Sequence, residues 1–243
     1  MSRPPLLQVS GLSRNFGGLV AVADLSFEVL EKEIFGLIGP NGAGKSTTFN
    51  LITGVYRPHG GRLTFAGTDI TGMQTAAIGR LGLVRTFQHG SILSELSVYD
   101  NVLTGAFMFV RDPRERDRRV RETAELVGLS ELLHDTAKNL PHGYQRLLSI
   151  GIAFASRPRL LCLDEPLTGL NGTEMTHALG VIKQIRDAFG TTVLLVDHNM
   201  QAVMRTCERI VVLNFGRKLA EGTPEEVSRN GEVIQAYLGG STT

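Results

Sequence analysis

The sequence predicts an α/β fold: a mostly parallel sheet, an antiparallel β flank and a helical segment inserted between two of the parallel strands. Three observations carry this. Short, nearly unbroken apolar runs recur at 34–38, 83–87, 160–163, 193–196 and 210–213, the character of strands covered on both faces. Stretches with helical spacing lie between them, and strands alternating with helices build a parallel sheet. Residues 6–33 and 60–70 instead alternate polar and apolar positions around glycines, HGGRLTFAGTDI being the clearest case, which suits an antiparallel flank.

The helical readings rest on spacing. Val120, Ala124 and Val127 fall at i, i+4, i+7, and Met200, Val203, Met204 and Cys207 repeat in the same way, so these residues are expected in the core. From about 89 to 156 the chain reads as mainly helical. Within it RDPRERDRRVRE, residues 111–122, interleaves arginines with Asp112, Glu115, Asp117 and Glu122. Mixed signs favour a solvated helix face over a nucleic-acid contact. The 243 residues suffice for a large buried core. A formal net charge of +1 offers no bulk attraction for nucleic acid or anionic lipid. Cys162 and Cys207 lie in apolar contexts and are expected as core thiols in a reducing compartment. The start MSRPPLLQVSGL lacks the apolar core of a secretion signal, and no run approaches the ~18–20 apolar residues of a bilayer span. A cytosolic or peripherally attached protein is expected.

Chemistry concentrates at three places. GPNGAGKST, residues 39–47, matches G-x-x-x-x-G-K-[ST] between an apolar run and the helical TTFNLITG. Glycines let backbone N–H groups approach phosphates, and the helix start behind them favours anions. Gly39, Asn41, Gly42, Ala43, Gly44, Lys45, Ser46 and Thr47 are therefore candidate nucleotide-binding residues. Lys45 would supply charge and Ser46 a hydroxyl for Mg²⁺. LLCLDEP ends a strand at Asp164 and Glu165. Side chains alternate along a strand, so the two carboxylates can differ in role: Asp164 for the metal, Glu165 for the attacking water. His198 follows the strand TTVLLVD at the same sheet edge and is a candidate contact to the terminal phosphate.

In this sequence of motifs the whole chain resembles the ATP-binding cassette (ABC) ATPases. The resemblance implies a P-loop NTPase core with an antiparallel β flank and an inserted α-helical subdomain. Residues 1–88 and 157–243 would form the RecA-like nucleotide-binding core, and 89–156 the helical subdomain carrying the signature stretch. It implies ATP and Mg²⁺ as cofactors. Phe16 in RNFGG would stack on adenine, and Gln88 in RTFQ would link the magnesium site to the helical segment and share in metal binding and catalysis. Gly169, Leu170 and Asn171 would form the dimer-facing loop, with Asn171 where the family usually has aspartate.

The family's LSGGQ-like signature seals a nucleotide against a second subunit's phosphate loop. Here the stretch is Leu140, Pro141, His142, Gly143, Tyr144, then Gln145 and Arg146. Gly143 is kept, but Pro141 stands where a serine hydroxyl would meet the γ-phosphate. The resemblance thus implies a heterodimer with a different ATP-binding subunit whose signature is intact. VRTFQ, GYQR and the ending GRKLAEGTPEEV…VIQAYLG resemble subunits of branched-chain amino acid importers. Those act at the cytoplasmic face of the inner membrane with integral permease subunits and, indirectly, a periplasmic solute-binding protein, and without nucleic acid. The lipopolysaccharide exporter ATPase, which shares SVYDN- and VDHN-like stretches, is the alternative, and a soluble assembly-factor ATPase is an alternative of another class. A permease groove is expected among Ile92, Leu93, Leu96, Val98, Tyr99, Phe107, Met108 and Phe109.

Overall fold

The computed structural model describes residues 3–86 and 92–238. It opens with two long strands, β1 (Pro5–Phe16) and β2 (Leu19–Leu30), paired antiparallel from Pro5↔Leu30 to Phe16↔Leu19. The buried β3 (Ile34–Ile38) follows, then the glycine-rich loop and α1 (Lys45–Ile52). The chain returns through β4 (Gly60–Phe65) and the short β5 (Thr68–Asp69), which with β1 and β2 complete a four-stranded antiparallel sheet ordered β2-β1-β4-β5. This is the expected flank.

After α2 (Thr75–Arg80) and β6 (Leu83–Arg85) comes the helical segment: α3 (Val98–Phe107), α4 (Pro113–Leu126), two 3-10 turns and α5 (His142–Phe154). Strands and helices then alternate: β7 (Leu160–Asp164), α6 (Gly172–Phe189), β8 (Thr192–Val196), α7 (Met200–Thr206), β9 (Arg209–Asn214), β10 (Arg217–Gly222), α8 (Pro224–Arg229) and α9 (Gly231–Leu238). The second sheet has the order β10-β9-β3-β8-β7-β6 and is parallel except for β10.

The parallel strands are apolar throughout because both faces are covered. Phe35 and Leu37 of β3 face the core shared with the antiparallel sheet and α1, while Ile34 and Ile38 face the core shared with the helices. Leu160 and Cys162 against Leu161 and Leu163 repeat this division on β7. All five expected runs lie in this sheet, although β6 ends at Arg85 and Phe87 falls outside the described residues. β10 was not expected: RKLAEG is polar because it is a partly exposed edge strand.

The arginine-rich run forms α4. Arg118 pairs with Glu115 at 2.6 Å and Glu122 at 3.2 Å, and Arg121 with Asp117 at 2.9 Å, while Val120 and Ala124 are buried. It is a solvated face over an apolar stripe. Both cysteines are buried free thiols. Met200 and Met204, expected in the core, sit at its edge and line an apolar groove with Val227, Val233, Ile234 and Tyr237. α7 buries Ala202, Val203 and Thr206, which leaves both methionines on the flank of its buried face. Among the described residues no helix is long and apolar enough to cross a membrane.

Candidate functional site

The site is built where β3 ends. The loop that follows bends through positive φ at Gly39, Gly42 and Gly44. Glycine is required for contact as well as conformation. A Cβ at Gly44 would lie 2.5 Å from the Ala21 carbonyl oxygen, and one at Gly39 would collide with the Leu213 carbonyl. The loop is thus wedged between β2 and the end of β9, and Gly216 N–H donates to the Ala43 carbonyl at 3.0 Å.

α1 starts without a side-chain cap and without an acidic residue in its first turn. Its first helical bond runs from Thr48 N–H to the Gly44 carbonyl, 2.9 Å. The N–H groups of Lys45, Ser46 and Thr47 therefore precede the helical ladder and point along the dipole toward the loop, which makes an anion site. Asn41, Gly42 and Ser46 are exposed, whereas Ala43 and Lys45 are buried. Lys45 Nζ donates to the carbonyls of Gly39 at 2.6 Å and Pro40 at 2.9 Å, leaving one of its three donors. Burial pulls the Lys45 ammonium below its ordinary value, opposed by Glu165, Asp164 and Asp197.

β7 brings the carboxylates to the same edge. Asp164 is its last residue and is buried. Its Oδ2 lies 3.5 Å from Arg85 Nη2, and its backbone N–H donates to Thr86 Oγ1 at 3.2 Å. Burial raises the Asp164 carboxyl above the usual range, opposed first by Arg85. Its buried Oδ1 has no hydrogen-bond partner among the described residues. A buried carboxylate oxygen without a donor fits a cation, and one carboxylate beside a serine hydroxyl and phosphate oxygens is the usual magnesium environment. Asp164 and Ser46 thus fit Mg²⁺, and the loop fits a nucleotide triphosphate.

Glu165 lies beyond the strand, in the left-handed region at φ 48, with its N–H donating to the Val196 carbonyl at 2.7 Å. Its direction is therefore set by this turn, and strand alternation plays no part. His198 follows β8 as expected and is exposed, with Nδ1 3.9 Å from Asp197 Oδ1. Asp197 itself is buried and ties the two strand exits together: Oδ2 accepts the Leu167 N–H at 3.2 Å and Oδ1 the Asn199 N–H at 2.9 Å.

Phe16 ends β1 and is 37% exposed. Tyr56 meets its ring edge-on, with centroids 5.4 Å apart. Gln88 lies outside the described residues. β6 itself pairs parallel with β7, with Arg85 opposite Cys162. Gly143, in the first turn of α5, packs on α6: a Cβ there would come 2.5 Å from Glu174 Oε1. His142 covers Gly169, where a Cβ would come 2.8 Å from the imidazole. Asn171 caps α6, accepting from the Thr173 and Glu174 N–H groups at 3.0 Å, while Glu174 accepts the Asn171 N–H at 2.9 Å.

Three supporting residues escaped the sequence reading. Arg85 donates to Asn50 Oδ1 on α1 at 2.7 Å and to Thr53 Oγ1, the residue that ends that helix, at 3.0 Å while facing Asp164. Asp197 was legible only as the residue before His198. Tyr237 on α9 lies against the Gly39 backbone, and burial pushes its phenol up to about 12.

The family's sequence model, described as ABC transporter, matches residues 22–168. The chain belongs to the ABC transporter family. A second model, described as branched-chain amino acid ATP-binding cassette transporter, matches residues 217–242. The high-affinity branched-chain amino acid transport ATP-binding protein LivG of Salmonella typhimurium is 43% identical, over 97% of this chain and 98% of its own. The lipopolysaccharide export system ATP-binding protein LptB of Acidithiobacillus ferridurans is 35% identical, over 96% and 97%. An ATP-binding cassette of an ABC transporter solved in its ADP conformation superimposes with a TM-score of 0.88 at 28% identity, covering 97% of this chain and 99% of that one. This ABC cassette therefore carries its phosphate loop and carboxylate pair in the expected P-loop NTPase core.

Proposed function

We propose that this ABC subunit hydrolyses ATP to drive import of branched-chain amino acids or related small solutes, at the cytoplasmic face of the inner membrane. The observation that carries the hydrolytic reading is the buried Oδ1 of Asp164, without a hydrogen-bond partner among the described residues, at the strand end beside Glu165, Lys45 and the uncapped α1. The importer branch is favoured over the lipopolysaccharide exporter by the C-terminal family match and by 43% against 35% identity.

In the proposed mechanism Lys45 and the α1 N–H groups hold the phosphates, with residues 39–47 wrapped around them and Phe16 against the adenine. Asp164 Oδ1, Ser46 and Gln88 would hold Mg²⁺, which when bound draws charge from the phosphate oxygens during transfer to water. Glu165 orients the attacking water and takes up its proton, and His198 contacts the terminal phosphate. Nearly all of this is positioning and charge stabilisation, as phosphoryl transfer requires.

Residues 1–88 and 157–243 act as the core in this reading, with 89–156 as the helical subdomain. That segment exposes Leu93, Leu96, Phe107, Met108 and Phe109, whereas Val98 is buried and Ile92 and Tyr99 pack against the core. The exposed set supports a groove for a permease helix. Gly143 faces a second, different ATP-binding subunit, because Pro141 brings no hydroxyl to the α5 start. Co-purification from solubilised membranes tests the assembly: permease subunits and a second cassette are expected, and a lone or homodimeric cassette with brisk cooperative turnover would overturn it.

A further inference from the structure

We infer that Arg14 is a positioning residue for base recognition, holding the Phe16 ring so that one face stays open to adenine. This rests on the reading that Phe16 meets the base. Arg14 and Phe16 are two residues apart near the end of β1, and the Arg14 guanidinium carbon lies 4.8 Å from the Phe16 centroid and 5.9 Å from that of Tyr56. One side of the phenylalanine ring is therefore taken by a cation, Tyr56 packs beside it with its ring plane inclined by 72°, and the ring still keeps part of its surface exposed.

The guanidinium is held in place. Nη1 donates to the Arg57 carbonyl at 2.9 Å and lies 2.9 Å from His59 Nε2, while the buried Nε has no hydrogen-bond partner among the described residues. Neither contact is a carboxylate, so the charge over the ring is not neutralised there, and partial desolvation strengthens its attraction to the π face. A cation on one face also draws π density away from the other, which favours stacking against an electron-rich purine. The anchor is tied to the phosphate end. Val55 and Tyr56 donate their N–H groups to the Asn50 carbonyl, at 2.9 and 3.1 Å, so the platform is fixed to α1, the helix that starts at Lys45. One short helix thus spaces the base site from the phosphate site.

Calorimetry on the full chain with magnesium-ATP and magnesium-tripolyphosphate tests this. Arg14→Met is expected to weaken ATP binding roughly fivefold and to leave tripolyphosphate unchanged, with Arg14→Lys recovering part of the loss. In a Phe16→Ala background Arg14→Met should have no further effect on ATP. Equal losses for both ligands, no loss at all, or an undiminished Arg14 effect without the Phe16 ring would overturn the inference. Phe16→Ala alone separates the underlying reading: it should weaken ATP and spare tripolyphosphate. If it affects both alike, base stacking on Phe16 fails and the role of Arg14 falls with it.

Discussion

In the proposed mechanism Glu165 does chemistry from a strained backbone, and the two demands can be measured separately. Its φ of 48 places a residue with a Cβ in the left-handed region, at a cost of ~1–2 kcal/mol. The 2.7 Å bond from its N–H to the Val196 carbonyl holds it there. Glu165→Gln keeps that backbone cost and removes the charge. Glu165→Asn also removes the charge, but asparagine tolerates the left-handed region far better. Both variants relieve the influence by which Glu165 raises the Asp164 carboxyl, so that contribution cancels between them. The asparagine variant should then be more stable than the glutamine variant by about 0.5–1 kcal/mol, roughly 1–4 °C in Tm for a chain of this size. Both should bind magnesium-ATP and lose turnover by about 10²–10⁴-fold, the contribution of a placed general base. Calorimetric melts of the nucleotide-free chain and phosphate release by the assembled transporter give the two readouts. A Glu165→Asn variant no more stable than Glu165→Gln would refute the strain argument, and near-normal hydrolysis by Glu165→Gln would remove Glu165 from its role.

Three further expectations concern the same site. Gly44→Ala should abolish ATP binding and lower Tm, because its Cβ would sit 2.5 Å from the Ala21 carbonyl at φ 99; calorimetry and melting check both effects. Chelating Mg²⁺ should weaken ATP binding by the wild-type chain, whereas in Asp164→Ala chelation should change little, since in the proposed mechanism the buried Oδ1 would be the protein's main anionic hold on the cation; titrations with and without chelator compare them. The Tyr237 phenol is raised to about 12, so between its unfolded value near 10 and about 12 the unfolded chain releases this proton first. Stability should fall with rising pH across that window, and denaturant titrations of Tyr237→Phe should show a shallower fall than wild type.

What could be read from the chain were features whose parts are neighbours in sequence. The loop at 39–47 carries its glycines, lysine and serine on consecutive residues, so strand, loop, helix start and phosphate chemistry are all local. Asp164 and His198 were readable for a related reason: apolar runs buried on both faces announce parallel strands, and strand ends in such sheets carry ligand residues. Tertiary structure alone decided the groups that hold these residues in place. Arg85 reaches Asn50, Thr53 and Asp164 across three elements. Asp197 joins two strand exits, Tyr237 reaches back to Gly39, and Arg14 is anchored by residues 57 and 59. No periodicity marks such contacts, because they arise from how separate segments meet when the sheets close. The direction of Glu165 belongs with them: its turn is held by a carbonyl 31 residues further on, at Val196, past the end of the strand whose alternation the sequence shows. Local composition thus determined what the chemistry is made of, and long-range packing determined where each charge points, because a side chain's orientation is set by neighbours that the linear chain keeps apart.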